Sequence, residues 1–240
     1  WAYFLSGDND AAYLLYKKAR QIEPDNPVVN ENIADFYRSI LLSAQAIEFY
    51  TKALNLGGPN SNTLTHRAVG YERVGRGEAA SADAKMVLDM NPEDLSSRLF
   101  YARMLINQRR FEEAENEIAI AENLNPKNTG IDFTAAFLAA AKGEKEKALA
   151  LVKPAEANPV YYSYLLSRVY AAVGLKDEAI ANIRLGIEKG FPELLDYMYE
   201  YPFLNTNSFF DNLRDDPRFK EILAHQKEKY EVNLKKYGTL

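Results

Sequence analysis

Alanine recurs at Ala12, Ala46, Ala80, Ala114 and Ala148, each 34 residues after the last, and Ala179 follows after 31. A second small series runs Ala34, Ala68, Ala102 and Ala136, then Ser167. Gly7, Gly75 and Gly143 hold one phase, continued by Gly174, with Leu41 and Arg109 in the two gaps. Pro24, Pro92 and Pro126 follow the first, third and fourth alanines by 12, and Gly58 with Pro59 stands at that place in the second unit. Several independent residue types do not share one phase by chance. The chain is therefore a linear array in which each unit buries its apolar face against its neighbours.

Each unit reads as two helices, A and B. In "NTLTHRAVGYERVGRGEAASADAKMVLDMNP", helix A is expected to run to about Val74, where Gly75 suits a left-handed helix end. Helix B is expected from about Gly77 to Met90, stopped by Asn91-Pro92. Ala68 and Ala80 fall where A and B cross, and a larger side chain there forces the axes apart. Ala80→Leu is expected to lower stability by about 1–3 kcal/mol in denaturant melts.

The pattern resembles the tetratricopeptide repeat (TPR) family. The residues that bear the resemblance are Ala34, Tyr37, Ala46, Tyr50 and Ala53; Ala68, Tyr71, Gly75, Ala80 and Pro92; and Ala102, Ala114, Ala121 and Pro126. It covers about residues 1–191 as half a repeat and five whole ones: 1–26, 27–60, 61–94, 95–128, 129–159 and 160–191, with 192–240 as a helical cap. Departures are Leu105 and Ala139 at the helix-A aromatic position, Pro159 one residue early, and Gly186 and Phe191 closing the sixth unit. A pentatricopeptide array is the near neighbour, but its usual period is one residue longer and its usual charge basic. The resemblance implies an all-α, right-handed α-solenoid of helix-turn-helix repeats, working as a protein–protein interaction scaffold without catalysis or cofactor.

In that family helix A lines a concave face, with inward positions three before, one after and four after its small residue. Carried onto this chain, these are Glu31, Asp35 and Arg38; Thr65, Val69 and Glu72; Leu99, Arg103 and Ile106; Phe133, Phe137 and Ala140; and Tyr164, Arg168 and Ala171. The face is acidic early and rich in aromatics and arginine late, the residue types that anchor interfaces. The candidate partner-binding residues are Arg38, Leu99, Arg103, Phe133, Phe137, Tyr164 and Arg168. Two occupants stay open for the late groove: a peptide bearing apolar and acidic groups, or a stretch of this same chain. A clamp for chaperone-tail carboxylates is disfavoured, because Glu31, Asp35, Thr65 and Val69 stand where Lys and Asn are needed.

Composition narrows the rest. The 240 residues are 47% hydrophobic with a net charge of −5 and pI about 5.3, which argues against nucleic acid as the partner. With no cysteine, a disulfide framework, a thiolate zinc site and a Cys nucleophile are excluded. The most apolar window, Phe133 to Ala141, is too short to cross a bilayer. His66 and His225 are 159 positions apart with no ligand-spaced neighbour, and no metal or phosphate motif is present. The chain opens at Trp1 in mid-pattern, so a fragment of a longer protein is expected, and the compartment stays open. Two rival readings are a homo-oligomerisation element and a glycan or small-ligand module using Tyr161, Tyr162, Tyr164, Tyr197, Tyr199 and Tyr201.

After Phe191 the phase is lost. Pro192 is expected in the first turn of a short helix and Pro202 near its end; Ser208 is expected to cap a helix from Phe209. In "DNLRDDPRFKEIL", Asp216 and Pro217 read as a cap and a first-turn proline. Phe219, Ile222, Leu223, Tyr230, Leu234 and Tyr237 then form an apolar stripe that covers the last repeat and can reach the groove. Deleting Phe209 to Leu240 is expected to lower stability or solubility. "LRDDPRF" also resembles a short tail after TPR arrays in bacterial multidomain signalling proteins.

Overall fold

The computed structural model describes residues 8–189 and 199–240, and these are helical throughout their regular elements. Helix α1 (Asn9–Ile22) precedes five pairs: α2 (Pro27–Ser39) with α3 (Ser43–Gly57), α4 (Ser61–Arg73) with α5 (Gly77–Met90), α6 (Leu95–Asn107) with α7 (Phe111–Leu124), α8 (Thr129–Lys142) with α9 (Lys145–Val152), and α10 (Pro159–Ala172) with α11 (Lys176–Lys189). Each pair packs on the next in chain order, and the A helices α6, α8 and α10 also pack side by side. Helix α12 (Tyr201–Thr206), a 3-10 segment (Ser208–Leu213) and α13 (Pro217–Tyr237) complete the chain.

The in-phase small residues pack as expected: Ala34, Ala68, Ala102, Ala136, Ala80, Ala114 and Ala148 are buried to 1% exposure or less. The A-to-B turns share one backbone solution. Gly75, Gly143 and Gly174 have φ between 75° and 82°, and Leu41 and Arg109, in the gaps of the glycine series, take φ of 63° and 60°. In all five turns the residue after the left-handed one donates back to a carbonyl five positions earlier, as in Arg76 N to Tyr71 O at 2.8 Å.

A helices begin differently. Asn26, Asn60, Asp94 and Asn128 stand 34 residues apart, and Asn158 continues the series; each accepts a first-turn amide through its side chain. Helices α3, α5, α7 and α9 have no side-chain cap, because the tight preceding turn launches them directly. Pro154 shortens the fifth pair. It lacks the amide that α9 needs to continue, so the helix ends at Val152 and passes into a 3-10 segment, Lys153–Ala157. Pro159 is thus the first residue of α10 rather than a stop after helix B.

The C-terminal region departs from expectation at three points. Asn207, not Ser208, caps the 3-10 segment, accepting from Phe209 N at 3.1 Å. Pro202 is the second residue of α12 rather than near its end, since a ring without an amide is tolerated in a first turn. Pro192 and Phe191 lie outside the described residues. Helix α13 is also more than an end cap. Arg218 joins Asp177 of α11 at 2.7 Å, whereas at the far end Tyr37 donates to Tyr237 O at 2.9 Å and Asn233 to Ile40 O at 2.8 Å. One 21-residue helix therefore ties the last pair to the first.

Candidate functional site

The A-helix face is a groove with two unlike edges. One edge is formed by the C-terminal ends of the A helices, and the chain's own segment 199–213 lies along it as a strap. Phe203, Leu204, Phe209, Phe210 and Leu213 of the strap are at most 4% exposed. At about 1.5–3 kcal/mol per buried side chain, these five contribute on the order of 10 kcal/mol. That is comparable with the net stability of a domain. The strap is part of the fold rather than a loose lid. Polar contacts place it: Asn212 donates to Ala171 O and Ala172 O at 3.0 and 2.9 Å, satisfying carbonyls that the end of α10 leaves open.

Arg168 is the centre of this covered edge. Its guanidinium carbon lies 4.5 Å from the ring centroids of Phe137 and of Phe209, 5.0 Å from Tyr164 and 5.8 Å from Phe203. It donates to Tyr164 Oη and Asn107 Oδ1, both at 2.6 Å, and approaches Glu72 Oε1 at 3.8 Å. Asn107 donates to the same Glu72 oxygen at 2.6 Å. Two rings come from the repeats and two from the strap, so Arg168 and Phe137, both nearly fully buried, are enclosed by this chain. Of the two occupants considered for the late groove, the same chain is the one present at these residues.

The sixth unit's departure at Gly186, and its serine in the small series, have a common cause. A Cβ on Gly186 would fall 2.3 Å from Tyr199 Cε2, so only glycine lets that ring approach. Ser167, where the series otherwise has alanine, shares a 3.2 Å hydrogen bond with the Tyr199 hydroxyl. The next residue, Glu200, is completely buried. It accepts from Ser43 Oγ at 2.9 Å and lies 3.9 Å from Arg73. Burial pushes its carboxyl up to about 7, and Arg73 and Ser43 only partly offset this.

The other edge, at the N-terminal ends of the A helices, is open. Leu99, Phe100 and Arg103 of α6, Gly130, Phe133 and Phe137 of α8, and Tyr164 of α10 line a cleft of about 300 Å³. Arg103 is half-buried, with its guanidinium 5.6 Å from the Phe100 ring. Phe133 packs edge-on against Tyr162 at 5.0 Å. The cleft thus gathers Leu99, Arg103, Phe133, Phe137 and Tyr164. Arg38 lies apart, in a cluster at the first two pairs. There Asp35 accepts from Tyr50 Oη at 2.6 Å and Arg38 Nε at 3.3 Å, with His66 Nδ1 at 3.4 Å. Burial raises the Asp35 carboxyl, but bonding by His66 and Tyr50 and the charge of Arg38 outweigh it and hold it low. Among the described residues no group of side chains is arranged to hold a metal ion, and no helix is long and apolar enough to cross a membrane.

No family model matches the chain. It is similar to a tetratricopeptide repeat protein from Parabacteroides merdae, with a TM-score of 0.61 at 20% identity over 94% of this chain and 95% of that one. The chain has the TPR fold. Two further TPR structures agree. One is a thermophilic protein in Thermus thermophilus (TM-score 0.53, 21% identity, 71% of this chain and 94% of that one). The other is YrrB, described as having an unusual peptide-binding site (TM-score 0.54, 18% identity, 65% and 80%). In sequence, 142 residues are 28% identical to DnaJ homolog subfamily C member 3 of Gallus gallus, covering 58% of this chain but only 25% of that protein's length. The TPR helices account for the groove. Coverage by this same chain was one of the two occupants open from the sequence, but the segment that supplies it, the Tyr199 socket and the A-helix caps were not read there, although the caps recur in the same 34-residue phase as the alanines.

Proposed function

We propose that this TPR chain is a non-catalytic interaction module that presents the open half of its concave face to a segment of a partner protein. The observation behind this reading is the cleft between α6, α8 and α10. It is preformed and apolar-walled, with one arginine at its margin, the combination that marks ligand sites and interface anchors. The binding set is then Leu99, Arg103, Phe133 and Tyr164, whereas Phe137 is enclosed and Arg168 acts as a strut. The late tyrosines favour no sugar platform. Tyr199 is buried against Gly186, Tyr201 lies near Tyr230, only Tyr161 is well exposed, and Tyr197 falls outside the described residues.

A photo-crosslinking residue at Ser96, on the exposed rim of the cleft, tests the reading in cells of the source organism. A discrete protein adduct is expected there and not from the same residue at Met86, exposed on helix α5. Adducts of equal yield from both sites, or from neither, would overturn it.

A further inference from the structure

We propose that two copies of this chain pair through the outer faces of their α1 helices, antiparallel about a two-fold axis that passes between Leu14 and Leu15. The pairing uses no residue of the cleft, so it is independent of the partner-binding reading.

Helix α1 has two unlike sides. Its inner side is held by its own chain. Ala12 is buried, Tyr16 packs on Phe36 at 5.6 Å, and Arg20 stands 5.1 Å from the Phe49 ring. Asp10 accepts from Tyr237 Oη at 2.8 Å and pairs with Lys236 at 2.7 Å. The outer side carries Leu14, Leu15 and Ile22 at 64%, 49% and 67% exposure. With Ala11 and Lys18 they follow the spacing of a single helix face. A further repeat stacked before α1 would not cover this face. The positions equivalent to Leu14 in the next four B helices, Glu48, Ala82, Asn116 and Ala150, are exposed although each has helices on both sides. Among these five, only α1 has a large apolar side chain there.

Charge complementarity selects a second copy and sets its direction. Asp8 and Asp10 stand at the start of α1, and Lys17, Lys18 and Arg20 near its end. Lys17 and Lys18 form no ion pair among the described residues, whereas Lys52, the equivalent of Lys18 in α3, meets Asp25 at 3.2 Å. Asp8 caps the helix through one oxygen, accepting from Ala11 N at 3.0 Å, and its other oxygen makes no bond among the described residues. With the axis between Leu14 and Leu15, Leu14 of one copy meets Leu15 of the other. Lys18 then lies over Ala11 of the other copy, one turn from its Asp8. A parallel pair would set Lys17 and Lys18 of both copies side by side. Antiparallel alignment also opposes the two helix dipoles. A 14-residue helix is about 21 Å long. The buried area therefore falls below the roughly 1,200 Å² of a stable interface, and the association is expected to depend on concentration.

Sedimentation equilibrium of the whole chain over a range of concentrations tests the pairing, and a reversible monomer–dimer equilibrium is expected. Leu14→Glu sets two carboxylates beside the axis and is expected to weaken the dimer at least about tenfold. Thermal melting of the dilute variant is expected to match wild type, because the side chain is largely exposed. The chain has no cysteine, so introduced thiols report the register. Leu14→Cys is expected to form disulfide-linked dimers under mild oxidation, and Met86→Cys, exposed on α5, is not. Chains with Ala11→Cys and chains with Lys18→Cys are expected to link to each other faster than to themselves. A monomer at every concentration, a dimer indifferent to Leu14→Glu, or equal linking at Leu14→Cys and Met86→Cys would overturn the proposal. Ala11→Cys linking fastest to itself would overturn the antiparallel register. Absence of the dimer with the Ser96 adduct intact leaves the partner-binding reading standing.

Discussion

Arg103 and Arg168 occupy the same place in their helices, one residue after the small residue of the crossing, at Ala102 and Ser167. Their surroundings differ entirely. Arg168 is 2% exposed, with four rings around it and an amide, a phenol and a carboxylate on its donors. Arg103 is half-buried with one ring and, among the described residues, no ion pair. The repeat supplies both residues, and the strap encloses Arg168 while leaving Arg103 beside the cleft. The covered edge is a core, and the open edge is a surface.

The comparison breaks most directly by removing each arginine in turn. Arg168→Met keeps the volume but leaves Glu72 and Asn107 without their cation, in a largely buried site. A loss of about 3–5 kcal/mol is expected in denaturant unfolding. Arg103→Met is expected to change stability by no more than about 0.5 kcal/mol. Equal losses at the two positions would show that the cleft is not a free surface.

Gly186→Ala probes the covered edge with a single methyl. The new Cβ would meet Tyr199 at 2.3 Å and Ser163 Oγ at 2.9 Å, so the strap's entry must shift. Overpacking of this kind costs about 1–3 kcal/mol. Gly130→Ala, at the open entrance, meets only the Asn128 side chain and one Leu99 methyl, so a smaller loss is expected. Thermal melts of the two variants rank the edges.

Local pattern made the repeat legible and left the strap hidden. The small residues at the helix crossings, the left-handed turn at Gly75 and the cap-plus-proline at Asp216-Pro217 all act within a few residues, and the structure shows each in place. The Asn and Asp caps were equally readable from their spacing, since a carboxamide before an amphipathic stretch has a local physical role. The strap depends instead on pairs such as Ser43 with Glu200 and Tyr37 with Tyr237, 157 and 200 residues apart. No period or propensity links such residues. Gly186 stood as a departure from the repeat because the ring it accommodates lies outside it. For the same reason the family's inward positions alone do not separate Arg103 from Arg168.

Glu200 sharpens the comparison through pH. Its carboxyl is raised to about 7 in the folded chain from an ordinary 4.5, mainly by burial. The folded state therefore binds this proton more tightly than the unfolded one, and the contribution to stability runs opposite to that of a salt-bridged acid. It is fully present below about 4.5 and is lost as pH rises through about 7. Wild-type stability is expected to decline across that interval relative to Glu200→Gln, whose amide does not titrate. The slope difference is read from urea melts at several pH values, and parallel curves would remove Glu200 from the account. No residue of the open cleft contributes to this slope.

The smallest effect concerns the covered end of α6, where Arg109 holds φ at 60° without being glycine. A side chain in the left-handed region costs about 1–2 kcal/mol relative to glycine, whereas glycine pays more backbone entropy on folding, about 0.5–1 kcal/mol. Arg109 also stands 5.3 Å from the Phe111 ring, a contact worth about 0.5–1 kcal/mol at an exposed site. These terms nearly cancel, so Arg109→Gly is expected to stabilise by no more than about 0.5 kcal/mol. Asn128→Ala, at the other edge, removes the cap of α8 and should cost about 1 kcal/mol. The sign difference between the two helix-end substitutions follows from which end each occupies. A loss at Arg109 as large as that at Asn128 would mean that the Phe111 contact, rather than backbone geometry, fixes the residue at that turn.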